Sequence, residues 1–193
     1  MKQSGATRRV AFNVLQAVHE KDAYSNLVLP AALDDLGVSA RDAGLATEIT
    51  YGALRRQGSL DAVIDACASR TDSMDSSVRD VLRVGAYQLL FMRIPSHAAV
   101  DETVTLAREV AGMGASKFVN AVLRKVNERT FDEWIEFLNV GGDSEQQLAI
   151  RWSHPGWIVR ALAQALGEKR SELGALLEAD NIPARPSLVA RPG

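Results

Sequence analysis

The side chains able to do covalent chemistry are few in this chain and poorly placed for it. His19, His97 and His154 lie far apart, and none has a neighbour at the spacing a zinc site needs. Asp34 and Asp35 adjoin a helix end and point in different directions, which makes them a poor acid/base pair. Ser153 and His154 are adjacent, but the serine is placed to cap a helix and no orienting acid accompanies it. Cys67 is the only cysteine; flanked by Ala66 and Ala68 on an apolar stripe, it reads as a small buried hydrophobe. No glycine-rich phosphate loop of the G-x-G-x-x-G or Walker type is present. The sequence therefore assigns no catalytic residue, no metal ligand and no cofactor-binding residue.

What remains is charge that can meet phosphate. Lys2, Arg8 and Arg9 form one basic cluster, with no acid before Glu20. Cations in the first turn of a helix oppose its dipole, a local cost that hints at a job elsewhere. Lys117, Arg124 and Lys125 form a second cluster on one helix face, with Asn120 one turn before Arg124 and Arg129 beyond. Arginine and lysine serve phosphates by charge, and arginine adds a planar two-toothed fork. The net charge is only -2, so a polyanion must be held by such patches and not by the field of the whole protein. Aromatic residues make up 6%, and none interleaves with the charges. Recognition by shape and backbone is expected, without an open platform for stacked bases. The candidate RNA-binding set is Lys2, Arg8, Arg9, Lys117, Asn120, Arg124 and Lys125.

The elements that must position these residues read as all-α. Val10, Ala11, Val14, Leu15 and Val18 mark a helix from Thr7 to about Glu20; Ser25 to Leu36 follows, with Pro30 inside it and Gly37 as its stop. Ser39 with Asp42 starts a helix to about Arg56 in the manner of a capping box, and Gly58 reads as the next break. Leu60, Val63, Ile64 and Cys67 define a short helix. The central stretch, Leu82 to Lys125, reads as three helices. In the first, Val78, Val81, Leu82, Gly85, Leu89 and Leu90 share a face, before Pro95 interrupts. Gly112 and Gly114 close the second, and Ser116 is placed to cap the third. Trp134 sits on a short helix from Phe131, and Gly141-Gly142-Asp143-Ser144 is the best boundary signal in the chain. Ser153-His154-Pro155 starts a helix with Ile158, Leu162, Ala165 and Leu166 inward; a last one covers Ser171 to Ala179, and Ser187 to Ala190 reads as a lone strand. A division at residues 1–130 and 131–193 follows. No apolar run approaches a membrane span. With one cysteine no internal disulfide is possible, and a reducing compartment, the cytoplasm, is the expected home.

Several strings carry a family resemblance. They are Gly85-Ala86-Tyr87-Gln88-Leu89-Leu90-Phe91, Ile94-Pro95, Ala99-Val100-Asp101-Glu102-Thr103-Val104 and Phe118-Val119-Asn120-Ala121-Val122-Leu123-Arg124. Together they resemble the NusB family, and more closely the NusB-like N-terminal region of RsmB-type ribosomal RNA cytosine-C5 methyltransferases. Ser153-His154-Pro155-Gly156-Trp157 and Leu176-Leu177-Glu178-Ala179-Asp180-Asn181 look like the entry to the methyltransferase module, which NusB proteins lack. Asp180 departs from the asparagine frequent in that family, as does Ala190-Arg191-Pro192 from Arg-Val-Asn. The resemblance implies a NusB-like helical bundle followed by a short helical segment leading into a truncated methyltransferase module. It also implies that Arg8 and Arg9 match arginines that meet RNA. Ribosomal RNA and the protein's own C-terminal catalytic domain are the implied partners, with no DNA specificity and no membrane. The methyl donor, S-adenosylmethionine, and the catalytic cysteines belong to a later Rossmann-like domain, so this chain alone is expected to be inactive. Two rival readings stand beside this one: a stand-alone antitermination factor binding RNA and a ribosomal protein, and a purely structural bundle.

Overall fold

A computed structural model describes residues 3–69, 71, 74–138, 144–182 and 189. Ten α-helices occur among them: α1 (Gln3–Lys21), α2 (Ser25–Asp35), α3 (Ala40–Arg55), α4 (Gln57–Cys67), α5 (Ser76–Phe91), α6 (Ser96–Val126), α7 (Phe131–Leu138), α8 (Ser144–Trp152), α9 (Gly156–Leu166) and α10 (Leu173–Asp180). A 3-10 segment, Gly167–Glu172, joins the last two. No strand occurs among the described residues, and the strand expected at Ser187 to Ala190 falls outside them apart from Val189. The glycines at 141 and 142 also lie outside. Among the described residues no helix is long and apolar enough to cross a membrane.

α5 is the axis of the bundle. Every residue from Asp80 to Gln88 is buried, because α1, α3, α4 and α6 all pack on it. A helix covered on all sides has no wet face, so a single apolar stripe describes it poorly. Val81, Leu82, Val84 and Ala86 are fully enclosed, whereas Leu89 and Leu90 are only partly buried. The inward face is thus set nearer the middle of the helix than the Leu89 spacing implies.

Two glycines let neighbours come close. A Cβ on Gly85 would lie 2.7 Å from Leu123 Cδ1 and 2.9 Å from Thr103 Cγ2, one contact from each half of α6. A Cβ on Gly52 would lie 1.9 Å from Cζ of Tyr87, whose ring crosses α3 there. The Tyr87 hydroxyl donates to Glu48 Oε1 at 2.5 Å; burial first, and then this carboxylate, push the phenol pKa up.

α6 consists of two helical limbs that meet at a kink at Gly112, with φ 86° and ψ -177°. That backbone state suits a residue without Cβ. The expected second and third helices are these two limbs, parted at Gly112 as the sequence predicts. Ser116 does not cap the second limb; it is buried inside it and donates back to Met113 O at 2.9 Å. Pro95 stands just before α6, where its missing N–H costs nothing.

Local punctuation is confirmed at one cap and displaced at two others. Ser39 caps α3, accepting from Asp42 N at 3.3 Å. Gly58 is not the break: α3 ends at Arg55, and Gly58 lies in the first turn of α4. Ser153, with φ 58°, does not cap α9, whose preceding residue is Pro155; its hydroxyl faces α4 instead. On α9 the fully enclosed residues are Val159 and Ala163, and Ala165 is exposed, so the buried face is turned by about one residue from the expected one.

α7 packs into the bundle: Trp134 joins its core and donates its indole N–H to Val126 O at 2.9 Å. α8 to α10 form a separate apolar cluster around Ala149, Val159, Ala163, Leu173 and Leu177. Leu82→Ala is expected to cost about 2–5 kcal/mol in denaturant unfolding. Leu89→Ala should cost clearly less, and equal losses would contradict α5 as the enclosed axis.

Candidate nucleic-acid interface

The two basic clusters meet different fates. Arg8 is buried, with 3% of its surface exposed. Burial lowers its pKa, with the charge of Glu102 acting in the opposite sense. Arg9 Nη2 pairs with Glu109 Oε2 at 2.5 Å, and its side chain is 21% exposed. Both arginines are thus faced by acids of the first limb of α6; α1 begins at Gln3, so they lie in its second turn and not, as expected, in the first, where the dipole cost would fall. Lys2 lies outside the described residues.

The second cluster is wetter. Lys117 and Arg124 are exposed on the second limb of α6. Neither has an acidic partner among the described residues. Lys117, Asn120 and Arg124 recur at helical spacing, and Arg124 Nε donates to Asn120 Oδ1 at 3.3 Å. Lys125 has a structural occupation: Nζ donates to Cys67 O at 3.1 Å, at the C-terminal end of α4 where a cation is favoured. Arg129 stacks over Trp134 at 4.9 Å and Phe137 at 4.7 Å.

Because the limbs fold back on each other, Arg124 and Asn127 reach the first turn of the same helix. With Ser96, His97, Val100 and Asp101 they line an open hollow of about 250 Å³. Sequence reasoning weighed His97 only as a metal ligand and passed over Asn127. The signal for Asn127 was its position one turn beyond Arg124; for His97 no local signal exists.

One buried polar cluster resembles an active site but is fully engaged. Arg83 forks onto Asp61 at 2.8 and 2.7 Å and reaches Asp80 Oδ1 at 2.7 Å. Gln16 Nε2 donates to Asp80 Oδ2 at 2.6 Å, and His19 Nδ1 lies 2.8 Å from Asp80 Oδ1. Burial alone would lower the Arg83 pKa, but the hydrogen bonds and charges of Asp61 and then Asp80 outweigh it and raise the value. Groups whose charges are spent on each other join α1, α4 and α5 and leave no free base. Cys67 is buried as expected, its thiol pushed up to about 11 chiefly by burial. A thiol in that state is a poor nucleophile at neutral pH.

Comparison with known proteins agrees with this architecture. The chain is 44% identical over 189 residues to Rv1407 of Mycobacterium tuberculosis, a protein named as a methyltransferase, covering 96% of this chain and 41% of that one. It is 34% identical over 185 residues to the ribosomal RNA small subunit methyltransferase B of Pseudomonas putida, covering 95% of this chain and 39% of that one. The chain thus spans about 41% of the length of the first of these relatives and 39% of the second. Among solved structures, antitermination factors NusB and NusE in complex with dsRNA include a chain of similar fold. Its TM-score is 0.61 at 22% identity, over 66% of this chain and 98% of that one. A protein named PH0851 matches over 95% of this chain and 40% of its own, with TM-score 0.71 at 17% identity. Residues 5–128 match the model of the NusB family, and by this match, on a bundle whose enclosed fifth helix and folded-back sixth are now described, the chain belongs to the NusB family.

Proposed function

We propose that this chain is the RNA-gripping region of a ribosomal RNA cytosine-C5 methyltransferase, holding substrate RNA for a catalytic domain that uses S-adenosylmethionine. The observation that carries the reading is the row Lys117, Asn120 and Arg124, whose two cations are exposed and without acidic partners among the described residues, on a helix of a NusB-family bundle. Exposed cations without acidic partners are free to displace counterions from a phosphate backbone, while paired ones must first break their own contacts. Further support comes from the alignment with a relative named for small-subunit ribosomal RNA methylation over 95% of this chain.

Within this reading the residues divide by role. Lys117 and Arg124 contact phosphates, Asn120 steadies the Arg124 fork, and Lys125 sits at the edge of the patch. Arg9 joins only where its bond to Glu109 opens, and Arg8 supports α1 from inside. Lys2 remains a candidate through its place beside them in the sequence. The methyl donor is assigned to the catalytic domain, and no step of methyl transfer is derived for this chain.

Binding of a ribosomal RNA fragment across a range of salt tests the proposal. Each single-strand phosphate contact contributes about -0.7 to the slope of log K against log salt. Lys117→Ala with Arg124→Ala is expected to flatten the slope by about 1.4, at an unchanged unfolding midpoint, since both side chains are exposed. Unchanged affinity and slope would remove the row from the interface. Arg8→Ala is expected to act on stability instead; a change in salt slope at unchanged stability would reverse the division of roles.

A further inference from the structure

α8 to α10 have their own apolar core, and none of its residues belongs to the core of α1 to α7. Two units joined without a common core ordinarily move against each other. Here the joint is polar and reciprocal. Ser153 Oγ accepts from the backbone N–H of Gly58 at 2.8 Å and of Ser59 at 3.4 Å. Those donors lie in the first turn of α4, where a helix cannot satisfy them itself. In the opposite direction Ser59 Oγ donates to Ile150 O at 2.5 Å, and Arg56 Nη1 to Arg151 O at 3.2 Å. These carbonyls belong to the last turn of α8, which has the matching deficit.

The surroundings hold this exchange in place. Ser153 adopts φ 58°, unfavourable for a residue with a Cβ, and in that state its hydroxyl faces α4. Gly58 leaves the room: a Cβ there would lie 3.2 Å from Ser153 Oγ. The Arg56 guanidinium lies 5.2 Å from the Phe91 ring of the bundle and 5.6 Å from the Trp152 ring of α8, a cation between two faces. Asn181 Nδ2 donates to Trp152 O at 2.7 Å, so the end of α10 is tied to the same corner.

We propose that this exchange of caps is a lock that makes α8–α10 a rigid arm of the bundle, with Ser153 as the positioning residue that fixes the arm's bearing relative to the basic row of α6. In a chain as long as its relatives, the arm transmits that bearing to the module that follows; this last step rests on the proposed function, whereas the lock does not.

Spin labels at the exposed positions Asn26→Cys and Glu168→Cys read the arm's bearing as a distance distribution in the 193-residue chain. One narrow distribution is expected. Ser153→Gly, which relieves the backbone strain while deleting the hydroxyl, and Gly58→Val, which wedges the joint, should each broaden it by about twofold. Amide exchange at Gly58 and Ser59 should accelerate about tenfold in Ser153→Gly, the size of a lost cap, while Val63 and Ile64 keep their protection. A broad distribution in the native chain, or an unchanged one in both variants, overturns the lock. A chain that binds no RNA yet gives the narrow distribution would sink the proposed function and leave the lock standing.

Discussion

The fold depends on enclosing the stretch of α5 from Asp80 to Gln88 although it carries two charged residues. Asp80 has no exposed surface and Arg83 has 8%, so each would be expensive to bury alone. They are one turn apart and bond to each other, and the remaining capacity of each is taken up by α1 and α4 through Gln16, His19 and Asp61. This arrangement fixes more than stability. Hydrophobic stripes on α1 and α4 could slide along α5, but a forked arginine and a fully bonded carboxylate accept one register.

From that register the placing of the two basic clusters follows. Gly85 admits Thr103 from one limb of α6 and Leu123 from the other, so both limbs lie against the same turn of α5. The break at Gly112 lets one helix supply both. The second limb buries Val119, Val122, Leu123 and Val126, and the opposite side carries Lys117, Asn120 and Arg124 to the surface. The first limb provides Glu102 and Glu109, which face the arginines of α1. Arg8 and Arg9 are therefore held against the bundle, and Lys117 and Arg124 are left to solvent.

Much of this was legible in the sequence, for a physical reason. Helix positions and most inward residues follow from spacings of three and four, which local chain geometry enforces; Ser39 and the row on α6 are of this kind. What could not be read depends on partners distant in sequence. Ser153 carries every mark of a helix cap and is one, but for α4, about 95 residues earlier. Arg8 looks like a solvated cation until Glu102 and the first limb of α6 are laid over it. Asp80 and Arg83, three residues apart, carry no local mark of burial, and only the packing of four helices around α5 makes them internal. Ser116 was misread for a different reason: the second limb starts directly after the Gly112 kink, so Ser116 already lies inside it, buried and bonded back to Met113 O.

The role of the Arg83 cluster as the keystone of α5 is tested most directly by the stability of Arg83→Ala in equilibrium denaturant unfolding. Removing one partner of a buried pair leaves Asp80 short of its arginine in the interior, and a loss of about 3–5 kcal/mol is predicted. A loss below about 1 kcal/mol, the range of an exposed ion pair, would contradict the account.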